Sequence, residues 1–132
     1  MTDIETSTVC EEGYHCSSHV GEFDLSIDAT GEEGPTANQA LVATYASCYL
    51  PALRVAGRQR GHDDLGKLQI DASADLDDDD DLAAIRWDLH VELDLSDEEL
   101  EEIVDRGKDI CHVHSAVRPG LRAEITAHGD AF

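Results

Sequence analysis

Apolar and polar residues alternate in some stretches and recur at helical spacing in others, and these changes of period outline the elements. Phe23, Leu25 and Ile27 are separated by Asp24 and Ser26 and flanked by Glu22 and Asp28, which predicts a half-buried strand. The looser pattern from residue 6, carrying Val9 and Val20, predicts the other arm of a hairpin turning around Glu12-Gly13. Gly31 and Gly34-Pro35 mark a turn, and Thr36 is suited to cap the helix that follows. From residue 37 to about 60 the chain is rich in Ala and Leu, and Leu41, Tyr45, Cys48, Ala52 and Val55 form one apolar stripe. Cys48 is thereby expected to face inward. Arg54, Arg58 and Arg60 gather at the helix C-terminus, where cations complement its dipole. Pro51 lies three residues after Cys48. It denies a hydrogen bond to the Ser47 carbonyl, which either bends the helix around its core or opens room beside the thiol.

Alternation resumes over residues 67–76, breaks at the acidic run from Asp77 to Asp81, and returns in Ile85, Trp87, Leu89, Val91, Leu93 and Leu95. The run lacks the interleaved spacers, central Gly and terminal Glu of a calcium loop, so it reads as a solvated hairpin tip. Ser96 and Glu99 predict a capping box, with the helix continuing through Leu100, Ile103 and Val104 to about Ile110. A short helical turn after Cys111, a turn at Pro119-Gly120 and a last strand from Leu121 complete the order β-β-α-β-β-α-β. This is an α+β class chain with a long central helix, expected to form a single domain over residues 1–132.

Composition narrows the possible functions. The 132 residues carry 30 Asp and Glu against 9 Lys and Arg, a net charge of −21. Acids scattered through every segment suit a whole-surface adaptation to a very salty cytoplasm, as in halophilic archaea, where the Debye length falls to about 3 Å. No basic stripe exists to neutralise phosphates, so nucleic acid is excluded as a partner. No apolar run of about 18 residues exists to span a membrane, and the N-terminus lacks the basic and apolar regions of a secretory signal. A cytoplasmic location is expected. In that setting Cys10, Cys16, Cys48 and Cys111 are expected to be reactive or metal-binding thiols rather than structural staples.

Two motifs then stand out. Gly34-Pro35-Thr36-Ala37-Asn38-Gln39-Ala40-Leu41 leads to Cys48, and Cys111-His112-Val113-His114 follows the second long helix. In this order and with these elements between them, they resemble the OsmC/Ohr family of thiol-dependent peroxidases, whose runs are Gly-Pro-Thr-Pro-Asn-Glu-Leu-Leu and Cys-Pro-Val-His. The resemblance covers roughly residues 6–127. It implies an intertwined homodimer in which the Cys48 thiolate attacks an organic hydroperoxide and Cys111 resolves the resulting sulfenic acid as a disulfide. An external dithiol (a lipoyl protein, a thioredoxin or a small thiol) would then reduce that disulfide, and no cofactor or metal is implied. Leu41, Tyr45 and Leu50, with Asn38 and Gln39 at the start of the helix, are the expected substrate lining.

The chain departs from the family where the thiol is activated. The carboxylate near the start of the helix is replaced by the neutral amides of Asn38 and Gln39, and no Arg or Lys precedes Arg54. Apolar burial alone raises a thiol's pKa, and a cation or a helix N-terminus is needed to lower it. His15, His19, His112, His114, Arg118 and Arg54 are the candidate substitutes. A non-enzymatic relative that binds a metal or ligand through Cys and His, and a plain interaction domain with incidental cysteines, remain the alternatives.

Overall fold

A computed structural model describes residues 2–132. They fall into two compact units, one ending at Leu41 and the other Val42–Phe132, each with its own three-stranded sheet.

The first unit is antiparallel, with strands β1 (Thr6–Val9), β2 (His15–Val20) and β3 (Phe23–Asp28) in that order. The turn around Glu12-Gly13 joins β1 to β2, as the pattern predicts. A second turn corrects the expected pair of strands to three. Gly21, at φ 60, takes the first corner of the two-residue turn Gly21-Glu22, and Val20 faces Phe23 across it. The expected burial of β3 is corrected as well. Phe23 and Leu25 are 73% and 51% exposed in the single chain, and only Ile27 is half-buried.

Asp28 ends β3 with a buried carboxylate that organises the following turn. It accepts from the Thr30 amide (2.9 Å), the Thr30 hydroxyl (2.7 Å) and the Glu33 amide (3.1 Å). Gly34 then passes so close to β3 that a methyl group there would meet the Ser26 carbonyl oxygen at 2.5 Å. Glycine is required by this approach of two backbones. Thr36 and Gln39 cap the next helix reciprocally: the Gln39 amide donates to Thr36 Oγ1 (3.2 Å) and the Thr36 amide to Gln39 Oε1 (2.9 Å).

That helix, α1 (Ala37–Gln59), runs on through Pro51 into the second unit. The second unit pairs β4 (Leu68–Leu76) with β5 (Leu82–Val91) as an antiparallel hairpin, and β6 (Glu124–His128) joins β5 in parallel. The acidic run forms the hairpin tip, where Asp77 Oδ1 accepts from the amides of Asp79 and Asp81 at 2.9 and 3.0 Å. Between β5 and β6 lie α2 (Asp97–Ile110), the short α3 (His112–Ala116) and a 3-10 turn, Pro119–Leu121.

Alternation in β5 buries Ile85, Trp87, Leu89 and Val91 and exposes Arg86 and Asp88. The strand ends at Val91, short of the expected Leu95, because the Leu93 amide turns to the Leu65 carbonyl (3.1 Å). On α1 the apolar stripe is rotated from the expected one. Tyr45, Tyr49, Ala52, Leu53 and Ala56 are buried, whereas Leu41 and Val55 are 42% and 38% exposed. Tyr49 explains the rotation. Its hydroxyl donates to the Val104 carbonyl on α2 (2.8 Å), and its ring lies over Gly107, where a Cβ would sit at a tight 3.2 Å. Ser96 caps α2 through the Glu99 amide (3.2 Å). The reciprocal half of that box gives way to a bond between the Glu99 carboxylate and His62 Nε2 (2.5 Å).

Candidate active site

Cys48 sits in the middle of α1, half-buried against the core of the second unit. Cys111 is almost wholly enclosed, at 1% exposure, where α2 hands over to α3. Its extended backbone (φ −69, ψ 113) ends one helix and starts the next. The Cys111 amide donates to the Gly107 carbonyl (3.0 Å), and the Cys111 sulfur accepts from the His114 amide (3.4 Å). This junction brings Cys111 close enough to Cys48 for each thiol to shift the other. Both thiols are free.

The environment polarises the pair in one direction. Burial by itself would push the Cys48 thiol up, but hydrogen bonds from the Val113 amide, the Cys111 thiol and the His112 amide more than offset it and hold Cys48 below the ordinary thiol range. Cys111 is pushed up, first by burial and then by its hydrogen bond to Cys48 and the charge there, with the His114 amide opposing. Of the two sulfurs, Cys48 is therefore the more acidic.

Backbone amides are among the groups that lower the Cys48 thiol, and the sequence reading did not name them. The signal was partly present: Cys111 directly precedes a helical turn, and position 112 is His where the resembled motif has Pro. A proline there would have no N–H to give. The side-chain candidates are occupied elsewhere. Arg54 donates to the Gly66 carbonyl (2.8 Å), Arg118 to the Leu82 carbonyl (2.8 Å), and His15 lies 2.6 Å from the Ser26 hydroxyl. His19 bonds Asp24, and the exposed His112 contributes its amide.

His114 has a different task. Its Nδ1 lies 2.5 Å from the Tyr45 hydroxyl, which in turn accepts from the Ala123 amide (3.2 Å). With that amide pointing at its oxygen, Tyr45 directs its own proton to Nδ1. Burial, assisted by the charges of Arg122 and Lys108, holds His114 neutral enough to accept it. The bond ties the α3 turn to α1 one helical turn before Cys48.

The expected substrate-lining residues are dispersed. Tyr45 is fully buried and Leu50 half-buried, both in the core that Cys48 joins. Asn38, Gln39 and Leu41 belong to the first unit. There Gln39 is spent on the helix cap, Asn38 is half-buried and Leu41 is exposed. A cleft of about 320 Å³ lined by Ser73, Arg86, Trp87, Asp88, Glu124 and Thr126 includes none of them. Among the described residues, no group of three or more His, Cys, Asp or Glu is arranged to hold a metal ion, and no helix is long and apolar enough to cross a membrane.

The polarity of the pair gives an expected pH profile. The thiolate is the reactive form, so alkylation of Cys48 by a neutral haloacetamide rises with pH around a midpoint below the ordinary thiol range, with Cys111 reacting last. His112→Pro removes one donor at a position where a helix tolerates proline and moves the Cys48 midpoint up. A profile superimposable on that of the parent protein would leave the His112 amide without this role.

Comparison with known proteins agrees with the fold. The family model described as OsmC-like protein matches residues 29–126. An uncharacterised protein of Haloferax volcanii is 63% identical over 132 residues, covering all of both chains. An OsmC-like protein from Mycoplasma pneumoniae superposes with a TM-score of 0.81 at 17% identity, over 97% of this chain and 96% of that one. The organic hydroperoxide resistance protein OhrB of Bacillus subtilis superposes with a TM-score of 0.72 at 19% identity, over 96% and 98%. Motif, fold and family match converge, and the chain belongs to the OsmC-like protein family.

Proposed function

We propose that this protein is a thiol-dependent peroxidase that reduces organic hydroperoxides. The observation that carries the reading is the pairing of the half-buried Cys48 sulfur with the enclosed Cys111 sulfur, with two backbone amides directed at the former. In the cycle, the Cys48 thiolate attacks the distal oxygen of ROOH. The O–O bond breaks, and the alkoxide leaves as ROH after taking a proton. The Cys48 sulfenic acid then meets the Cys111 thiol, forming the disulfide and releasing water. An external dithiol (lipoyl protein, thioredoxin or small thiol) returns both sulfurs to thiols and leaves as its own disulfide.

Organic rather than inorganic peroxide is favoured by the apolar core against which Cys48 packs, of which Tyr45 is part. The names of solved proteins with the same fold, organic hydroperoxide resistance proteins among them, point the same way. A homodimer is part of the reading, because the exposed Phe23, Leu25 and Leu41 offer apolar surface that a second chain would cover.

One equivalent of an organic hydroperoxide, added in molar salt, is expected to remove two thiols per chain and to link the peptides carrying Cys48 and Cys111. An unchanged thiol count, or a link that leaves out Cys48, overturns the reading.

A further inference from the structure

The β1–β2 hairpin carries two thiols that this cycle leaves unused. The register of the pair runs from Thr6 opposite Val20 to Val9 opposite Ser17. Continued by one step, it sets Cys10 opposite Cys16. Opposed residues of an antiparallel pair have Cα atoms about 4.5 to 5.5 Å apart and project their side chains to one face. That separation lies within the range a disulfide spans. The side chains follow the backbone: Cys16 lies close enough to Cys10 to raise its thiol, and the Cys10 sulfur donates to the Gly13 carbonyl at 3.4 Å. Cys10 is exposed, Cys16 half-buried, and neither belongs to the hydrophobic core of the described residues. His15, the neighbour best suited to join them in holding a metal, is taken by Ser26 and Glu33.

We infer that Cys10 and Cys16 form a second, self-contained redox site, a cross-strand dithiol that closes to a disulfide by exchange with low-molecular-weight disulfides. Its two sulfurs have unequal parts. The bond to Cys16, with burial and the charge on that sulfur, pushes the Cys10 thiol up. The bond that Cys10 donates to the Gly13 carbonyl engages its proton, which leaves Cys16 as the attacking sulfur. The Cys16 thiolate displaces one half of RSSR as RSH, leaving a mixed disulfide on Cys16. Cys10 then gives up its proton and attacks the Cys16 sulfur, expelling the second RSH. Two protein thiols and one RSSR become one protein disulfide and two RSH. The exposed hairpin reaches the oxidant from solvent, and the opposed Cys10 outcompetes any second molecule of thiol because it is already in place.

The test treats the whole chain with excess cystamine in molar salt and maps the peptides, in the wild type and in a Cys48→Ser/Cys111→Ser variant. A Cys10–Cys16 link within one chain, with the variant's thiol count falling from two to zero, is the expected result. Cys10→Ser should stop at one half-cystamine adduct on Cys16. Free thiols at both positions, adducts that persist on the unmutated pair, or links between chains overturn the proposal. If the double variant does not fold, the wild-type peptide map decides alone. The Cys48 reading is tested separately, because one equivalent of organic hydroperoxide should link Cys48 to Cys111 and leave Cys10 and Cys16 free.

Discussion

Cys48→Ser is expected to lower hydroperoxide consumption by about a thousand-fold or more, the scale on which removing a nucleophile acts. A hydroxyl in the same place is not ionised by hydrogen bonds from the His112 and Val113 amides at neutral pH, and its oxygen lone pairs are lower in energy and less polarisable than those of a thiolate. Cys111→Ser should behave differently. The first turnover survives, because the attacking sulfur and both amide donors remain. The sulfenic acid then has no neighbouring thiol, and steady consumption stops unless the solution supplies one. A sulfenic-acid trap such as dimedone should add one adduct per chain, on Cys48, in the Cys111→Ser variant and none in Cys48→Ser. Equal residual rates in the two variants, or trapping on another cysteine, would remove the division of labour proposed for the pair.

The largest loss of stability is expected at Trp87. Its indole is 1% exposed and packs against Tyr45 and Tyr49, with ring centroids 4.4 and 5.2 Å away. Trp87→Ala removes the partner of both tyrosines and should cost about 3–5 kcal/mol, a large share of the roughly 5–15 kcal/mol that holds a domain together. Trp87→Phe should cost much less than its lost volume suggests. Nε1 of the indole is buried with no hydrogen-bond partner among the described residues, and deleting an unsatisfied donor recovers desolvation energy of about 1–3 kcal/mol. Urea unfolding in molar salt measures both. A Trp87→Phe loss as large as its lost volume predicts would mean that the buried indole nitrogen carries no such penalty.

Much of this arrangement can be read from residue types. Strict alternation at Ile85, Trp87, Leu89 and Val91 describes a strand covered on one face, and it is one. Ser96 ahead of an acidic first turn marks the start of α2, and the Gly-Pro-Thr run marks that of α1. The phase of the α1 stripe was not legible, because it depends on where Tyr49 finds an acceptor. That acceptor is a main-chain carbonyl on another helix, and carbonyls look alike in every residue. The third N-terminal strand was signalled by Gly21-Glu22, a pair suited to a tight turn, yet the surrounding apolar residues are too sparse to separate two arms. The site divides in the same way. Cys48 and Cys111 stand out as letters, whereas the groups that ionise Cys48 are amide hydrogens, present at nearly every position and identified only once α3 has been aimed.

Because those donors are amides rather than a guanidinium, the acidity of Cys48 follows a contact and not a distant charge. An ion atmosphere dense enough to blunt an arginine leaves a hydrogen bond between touching atoms almost untouched. A change in salt concentration therefore leaves the acidity of this sulfur almost unaltered.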